Sequence, residues 1–390
     1  MGENRTLDYY IIAIISAFFM IGIGGTRPLI SLVLANELNA STWQIGFIVS
    51  LYSFFPLFFA IKMGKWVDRV GSKKPLLIST FFGSIALMIP AFSPTIGGVG
   101  LSQLLSGISQ TILAVSAQSY AGNTKDPRKR EINIAIFSIG VSVGSLLGPL
   151  LGGLFSDRFG YFRAFFYLAN LGLISSLFTL ILRENRITSS HSPDSLKGNI
   201  FELLTIPNVR KAFFISSLIL IGKDIFGTYF PLIATKSEIS NTMIGFIIAL
   251  NAGAGIFIRW VLPILLDRFT RNQVIVGSIL ISGITFLLFP LFNNLLLLTL
   301  LSLILGMGLG IGQPLSITTT ILSLPEDRVG EGLGLRLTSN RLTQVLGPIL
   351  FGIFANLLGF ASVFLITGVF LIVGSVKAKV DVPFTDEKEN

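Results

Sequence analysis

Residues 64–74 read Gly64-Lys65-Trp66-Val67-Asp68-Arg69-Val70-Gly71-Ser72-Lys73-Lys74. Apolar runs flank this stretch, 43–62 before it and 75–92 after it. Each is about the length a helix needs to cross a bilayer. A tight turn between two such helices calls for Gly where φ is positive. A lone Asp among cations suits the N-terminus of a neighbouring helix, where the dipole favours an anion. A charged turn would account for one such stretch. The Asp-Arg pair recurs, however, at Asp267-Arg268, again behind an apolar run.

That recurrence is one point in a register of 199 residues. Ser41 falls on Ser240, and Ile45-Gly46-Phe47-Ile48 on Ile244-Gly245-Phe246-Ile247. Gly107 falls on Gly306, Gly148-Pro149 on Gly347-Pro348, Gly153 on Gly352, Phe155 on Phe354 and Gly160 on Gly359. Apolar sequence supplies chance Ile and Leu matches, but not Asp-Arg and Gly-Pro dipeptides in one register. The chain is therefore read as two related halves.

Apolar runs fall at 9–34, 43–62, 75–92, 98–121, 132–154, 163–182, 209–233, 241–262, 273–290, 296–322, 333–356 and 360–376. They predict an all-α integral membrane protein with twelve transmembrane helices in two pseudo-symmetric six-helix bundles. The expected units are an N-terminal bundle (1–182), a polar linker (183–208), a C-terminal bundle (209–376) and a tail (377–390). The linker carries His191, read as solvated, and ends in Phe201, Leu203 and Leu204, read as a short interfacial helix. Six spans per half is an even number, so the halves share one orientation. Such parallel repeats place a substrate site between them, near the midplane.

Charged residues make up only 13% of the 390-residue chain, against about 25% in soluble domains, which excludes a water-facing globule. The net charge of +9 would otherwise suggest a nucleic-acid partner. Here the cations sit in short connections between spans, so no nucleic acid is expected and the charge reads as orientation. Lys65, Arg69, Lys73, Lys74, Lys125, Arg128, Lys129, Arg130, Arg183, Arg186, Lys197, Arg268, Arg271 and Arg328 all follow even-numbered or precede odd-numbered spans. Both termini are thus expected in the cytoplasm, in a cell-membrane protein. The first run is too long for the core of a signal peptide. Cysteine is absent and no metal-ligand cluster is evident, so neither metal nor cofactor is expected. Gly-rich stretches lie within spans and cannot be phosphate loops, so the chain does not read as an enzyme.

With these residues in place the chain resembles the major facilitator superfamily of secondary transporters. That family's signature between its second and third helices has the form G-x-x-x-D-R-x-G-R-K/R-K/R. Gly64, Asp68, Arg69, Gly71, Lys73 and Lys74 match it, with Ser72 where Arg is usual. The resemblance implies that Asp68 and Arg69 latch the two halves on the cytoplasmic side in one conformational state. In the fifth helix Gly140, Gly144, Gly148, Pro149, Gly152 and Gly153 form a small-residue face that suits close packing. Gly-Pro-x-x-Gly-Gly there is similar to the antiporter motif of the family's drug–proton exporters, which implies export. A further exporter pattern, R-x-x-Q-G in the fourth helix, is broken, because Gln103 stands in the Arg position ahead of Gly107. The role of that Arg does not carry over.

Gln103, Gln110 and Gln118 fall near one face of the fourth helix and are expected on a cavity wall, the alternative being bonds to neighbouring helices. An ion at a helix centre costs about 2.5–3.5 kcal/mol on insertion scales. Lys62, Arg259 and Arg336 are close enough to helix ends to snorkel. Arg27, Lys223, Asp224 and Arg341 are deeper and need partners or water. Position 27 maps by the repeat to 226, two residues from Asp224, so an Arg27–Asp224 ion pair across the interface is expected. Lys223 points about 100° away from Asp224 along the helix and is a poorer partner. Asp224 is the acidic residue lying deep in a span, and a carboxylate held between burial and a cation can bind and release a proton. It is read as the proton site, the alternative being a static ion pair. Three deep cations against one carboxylate disfavour cationic cargo and suit neutral or anionic amphiphiles.

The expected function is therefore proton-coupled secondary transport of a small molecule by a monomer. Efflux antiport of drug-like or metabolite amphiphiles is the first reading. The second is uptake of a small organic anion or sugar. A sensor without transport would need a larger soluble output domain than these tails supply.

Overall fold

A computed structural model describes residues 3–124, 126–184, 200–325 and 328–380. Lys125, Arg186, His191, Lys197 and the tail beyond Val380 lie outside the described residues. Among those described, twelve helices are long and apolar enough to span a membrane. In order they are α1 (Glu3–Asn36), α2 (Thr42–Val70), α3 (Lys73–Phe92), α4 (Ile96–Gly122), α5 (Pro127–Phe159), α6 (Tyr161–Ile181), α7 (Pro207–Lys236), α8 (Asn241–Arg268), α9 (Arg271–Leu288), α10 (Leu295–Leu322), α11 (Val329–Leu358) and α12 (Phe360–Lys377). Every run read from the sequence becomes one helix, and no strand occurs among the described residues.

Helices α1–α6 pack with one another, as do α7–α12, and the two sets meet along α2–α11, α5–α8 and α1–α7. The first two seams are related by the 199-residue repeat. A short 3₁₀ turn, Ile200–Thr205, precedes α7. Its Leu203 is buried against Val209, Ala212, Phe213 and Leu324, so this turn docks on the C-terminal helices.

Helices outrun the apolar windows, because backbone hydrogen bonding continues until a cap or glycine ends it. The charged stretch 64–74 shows this most clearly. Gly64, Lys65, Asp68 and Arg69 belong to α2, and only Gly71 and Ser72 separate it from α3. Gly71 has φ 88°, the left-handed geometry a turn needs. Gly64 does not turn the chain, since it sits inside the helix with open space where a Cβ would go. Asp68 and Arg69 are exposed on the last turn of α2. The expected cap from Asp68 onto a neighbouring helix is not made in this conformation: Ser72 precedes α3 and Asp68 faces outward.

Glycine sets how closely the seams approach. A Cβ on Gly46 of α2 would strike the Pro348 carbonyl of α11, and one on Gly245 of α8 would strike the Pro149 carbonyl of α5. Farther toward the α1–α2 and α7–α8 connections, Gly352 lies on Thr42 and Gly153 on Asn241. Both seams are therefore main chain against main chain, and both close the face opposite the termini.

Candidate functional site

The deep charges predicted from sequence converge on the space between the bundles. On α1, Arg27 brings Nη2 to 3.9 Å from Asp224 Oδ1 on α7, linking one bundle to the other. The Arg27 guanidinium lies over the Tyr52 ring of α2, 5.2 Å from its centroid. Its side chain is 53% exposed to the cavity, whereas that of Asp224 is 12% exposed. The second oxygen of Asp224, Oδ2, is buried with no hydrogen-bond partner. It borders an enclosed space of about 40 Å³ lined by Arg27, Tyr52, Gln103, Lys223, Asp224 and Thr228. That volume is large enough for a water molecule, and Gln103, Thr228 and the charged side chains offer it polar partners beside the apolar Ile30 and Val49.

A larger cavity of about 490 Å³ adjoins this space. Arg27 and Tyr52 form its inner end. From there it runs past Met20 of α1, Gln110 of α4, Ser142 and Ser145 of α5 and Arg259 of α8, toward the face that carries the termini. The opposite end is shut by the glycine seams and by polar contacts between the bundles. Thr42 Oγ1 donates to Gly352 O at 3.1 Å, and Ser53 Oγ donates to Gln344 Oε1 at 3.2 Å. Ile23, Phe226, Ile248 and Leu309 give the cavity an apolar flank.

Lys223 and Arg341 line the cavity as expected. Arg341 Nη1 donates to Gln344 Oε1 at 3.2 Å, so one amide oxygen serves both Arg341 and Ser53 of the other bundle. Of the three glutamines on α4, Gln103 reaches the small enclosed space and Gln110 the larger cavity. Gln118 corrects the expectation. It is exposed and lies off the cavity wall, because steps of seven and eight residues drift around a helix of 3.6 residues per turn.

Two cations behave differently from their reading as snorkelling side chains. Arg259 lines the larger cavity, so four cations line that cavity, not three. Arg336 is 3% exposed, with Nε donating to Ser316 Oγ at 3.1 Å and Nη2 to Gln313 Oε1. Its head lies inside the C-terminal bundle because α10 offers it hydroxyl and amide acceptors at that depth. Lys62 keeps to the periphery, with its ammonium over the Phe59 ring.

The glycines of the fifth-helix motif divide by neighbour. Gly144, Gly148 and Gly152 lie against α1, and Gly153 and Pro149 meet α8 of the other bundle. Tyr52 and the close of α5 at Asp157 are site features that hydropathy did not reveal, whereas Gln344, three residues beyond Arg341, continues that residue's polar helix face in the sequence. Of the first two, Asp157 carried a signal, as an acid on a connection the repeat pairs with Asn356.

The sequence matches the Major Facilitator Superfamily over residues 12–212 and 212–389. An uncharacterised MFS-type transporter of Methanocaldococcus jannaschii is 25% identical over 94% of this chain and 96% of that protein. Multidrug resistance protein 1 of Bacillus subtilis is 25% identical over 90% of each chain. Among solved structures, a bacterial homologue of the human lysosomal transporter Spinster, in an inward-facing and occupied conformation, superposes with a TM-score of 0.83 at 14% identity, covering 97% of both chains. Twelve spans, a repeat of 199 residues, a cavity between bundles and a family match over nearly the whole chain agree: this protein is a multi-pass membrane transporter, not an enzyme, and belongs to the Major Facilitator Superfamily.

Proposed function

We propose that this chain is a proton-coupled exporter of amphiphilic small molecules, working as a monomer by alternating access, with Asp224 as its proton site. The observation that carries the reading is the setting of Asp224. It is half-buried, one oxygen is unpartnered beside a water-sized space, and the other faces Arg27 across the bundle interface. A unit pair at that distance attracts by about 4 kcal/mol at an effective dielectric of about 20, and by less where water reaches Arg27. Protonating Asp224 removes that attraction, so the proton state of one side chain biases how the bundles sit. Export is supported by the fifth-helix motif and by sequence similarity to a protein named for multidrug resistance.

Orientation follows from charge. Lys65, Arg69, Lys73, Lys74 and Arg128 lie on the face that carries the termini, which the positive-inside rule assigns to the cytoplasm. The cavity then opens inward and the glycine seams close the outside. Asp68 and Arg69, exposed here, would engage when the cytoplasmic face closes.

One observation favours a second reading, uptake of a small organic anion. Four cations, Arg27, Lys223, Arg259 and Arg341, line the larger cavity, and the carboxylate of Asp224 lies in the small space that adjoins it. An anion bound among them favours the protonated form of Asp224, and by reciprocity protonation favours the anion, so the two load together as a symporter requires. A neutral cargo that needs the Asp224 carboxylate instead competes with the proton, as an antiporter requires.

The deciding experiment is transport in proteoliposomes under an imposed proton gradient, with neutral, anionic and cationic amphiphiles. Asp224→Asn is expected to abolish gradient-driven flux while the protein still inserts and folds. Undiminished flux in that variant refutes the proton assignment. Proton release on cargo binding in weak buffer marks exchange, and proton uptake marks symport.

A further inference from the structure

Asp157 ends the fifth helix on the closed face, three residues before Gly160, where φ is 83° and the chain turns into α6. Its carboxylate crosses the seam to the first turn of α8 in the other bundle. One oxygen accepts from Asn241 N at 3.1 Å. The other accepts from Thr242 N at 2.7 Å and from Thr242 Oγ1 at 2.6 Å. The first N–H groups of a helix have no partner within it, and they form the positive end of its dipole. Ser240, the cap of α8, takes only Met243 N, at 3.3 Å. Asp157 takes the two donors that Ser240 leaves.

The surrounding residues hold this arrangement. Gly153, one turn deeper, lets the α5 backbone rest on the Asn241 carbonyl. Tyr161 of α6 donates to Asn241 Oδ1 at 3.2 Å and accepts from Asn36 Nδ2 at 3.3 Å, which ties the end of α1 to the same point. The adjacent Arg158 lies over the Phe159 ring instead of on the carboxylate. At the repeat-related seam the position of Asp157 is held by Asn356, and the polar links are the neutral bonds from Thr42 to Gly352 and from Ser53 to Gln344. Of two seams alike in backbone, one carries a charge. Charge-assisted hydrogen bonds are roughly twice as strong as neutral ones.

We infer that Asp157 is a positioning residue for the transport cycle, the fastener of the outer gate: it holds α5 to α8 while the cavity is open inward, and it must release the first turn of α8 each time the cavity opens outward. The inference rests on the transport reading and its orientation, and is independent of proton coupling at Asp224. Removing the charge shifts the resting population toward the outward-open form without touching the cavity.

The chain has no cysteine, so a single probe is clean. Ala252→Cys places a thiol on the cavity wall of α8. A membrane-impermeant thiol reagent is applied from outside to right-side-out vesicles and from the cytoplasmic side to inverted ones. Adding Asp157→Asn is expected to raise the outside labelling rate about tenfold, the effect of losing one charge-assisted bond, and to lower the inside rate. Thr242→Val, which removes one donor from the other side of the seam, is expected to move both rates the same way but less. Asp157→Glu is expected to restore most of the original pattern. The opposed change is the informative one, because a loosened structure labels faster from both sides. Rates that stay unchanged, or that rise together in Asp157→Asn and Thr242→Val, would overturn the inference. Gradient-driven flux that survives in Asp224→Asn would overturn the proton assignment alone.

Discussion

Gly46 lies so close to Pro348 of the opposite bundle that a single added methyl would strike its carbonyl. That carbonyl is backbone and is already used by Tyr229, whose hydroxyl donates to it at 3.1 Å, so it cannot move aside. Gly46→Ala is expected to hold this seam ajar and cut transport by roughly five- to 150-fold, the equivalent of the roughly 1–3 kcal/mol that overpacking costs. Gly277→Ala on α9, where a Cβ meets nothing within 4 Å, serves as the control. Equal flux in both variants would show that the seam tolerates widening.

Arg27 and Gln103 share one enclosed space with Asp224, from different helices. Arg27→Gln is expected to abolish pH-driven transport, and adding Gln103→Arg to restore part of it by returning a cation to the same space. Gln103→Arg alone puts an uncompensated charge beside Lys223 and is expected to impair transport. Flux against external pH in proteoliposomes measures all three. Failure of the double variant, with normal insertion, would mean that Arg27 acts through its own position over Tyr52 and not through charge alone.

Arg336 is buried among Ser316 and Gln313. Arg336→Ala leaves those acceptors short of donors and is expected to destabilise the C-terminal bundle by about 1–3 kcal/mol. Arg336→Lys should rescue little, because an ammonium lacks the planar fork that reaches both partners. Thermal unfolding in detergent reads the difference, and an unchanged midpoint for Arg336→Ala would place this side chain outside the stabilising network.

The four cavity cations should make cargo charge matter. Lys223→Met is expected to raise uptake of cationic amphiphiles into the cavity several-fold relative to anionic ones, since it removes one repulsive charge beside the Arg27–Asp224 pair. Competition binding at two salt concentrations measures this. Discrimination that ignores both salt and the substitution would assign selectivity to shape.

The fold was legible because lipid leaves few choices. Apolar runs of spanning length can only be helices, and the register that pairs Asp68-Arg69 with Asp267-Arg268 and Gly148-Pro149 with Gly347-Pro348 places the halves. Depth was legible for the same reason, and it brought Arg27 and Asp224 to one level. Azimuth was not. Whether Arg259 points to lipid or cavity, whether Gln118 joins Gln110, and whether Arg336 reaches water or Ser316 depend on helix tilt and on which helices pack alongside. Hydropathy also ends a helix where the greasy residues stop, whereas the backbone carries α2 through Asp68 to Val70. The bridge from Asp157 to Thr242 spans 85 residues of sequence, and its one trace there is an acid that the repeat pairs with Asn356.

The two seams rest mainly on glycine and proline main chain, and Pro149 and Gln344 are where they meet the cavity wall. A carrier whose rocking surface is written largely in backbone can exchange most of its lining without relearning how to move. The inner walls are thus free to drift between generations of chemistry, and a designer could graft a new pocket here while leaving the machinery of opening untouched.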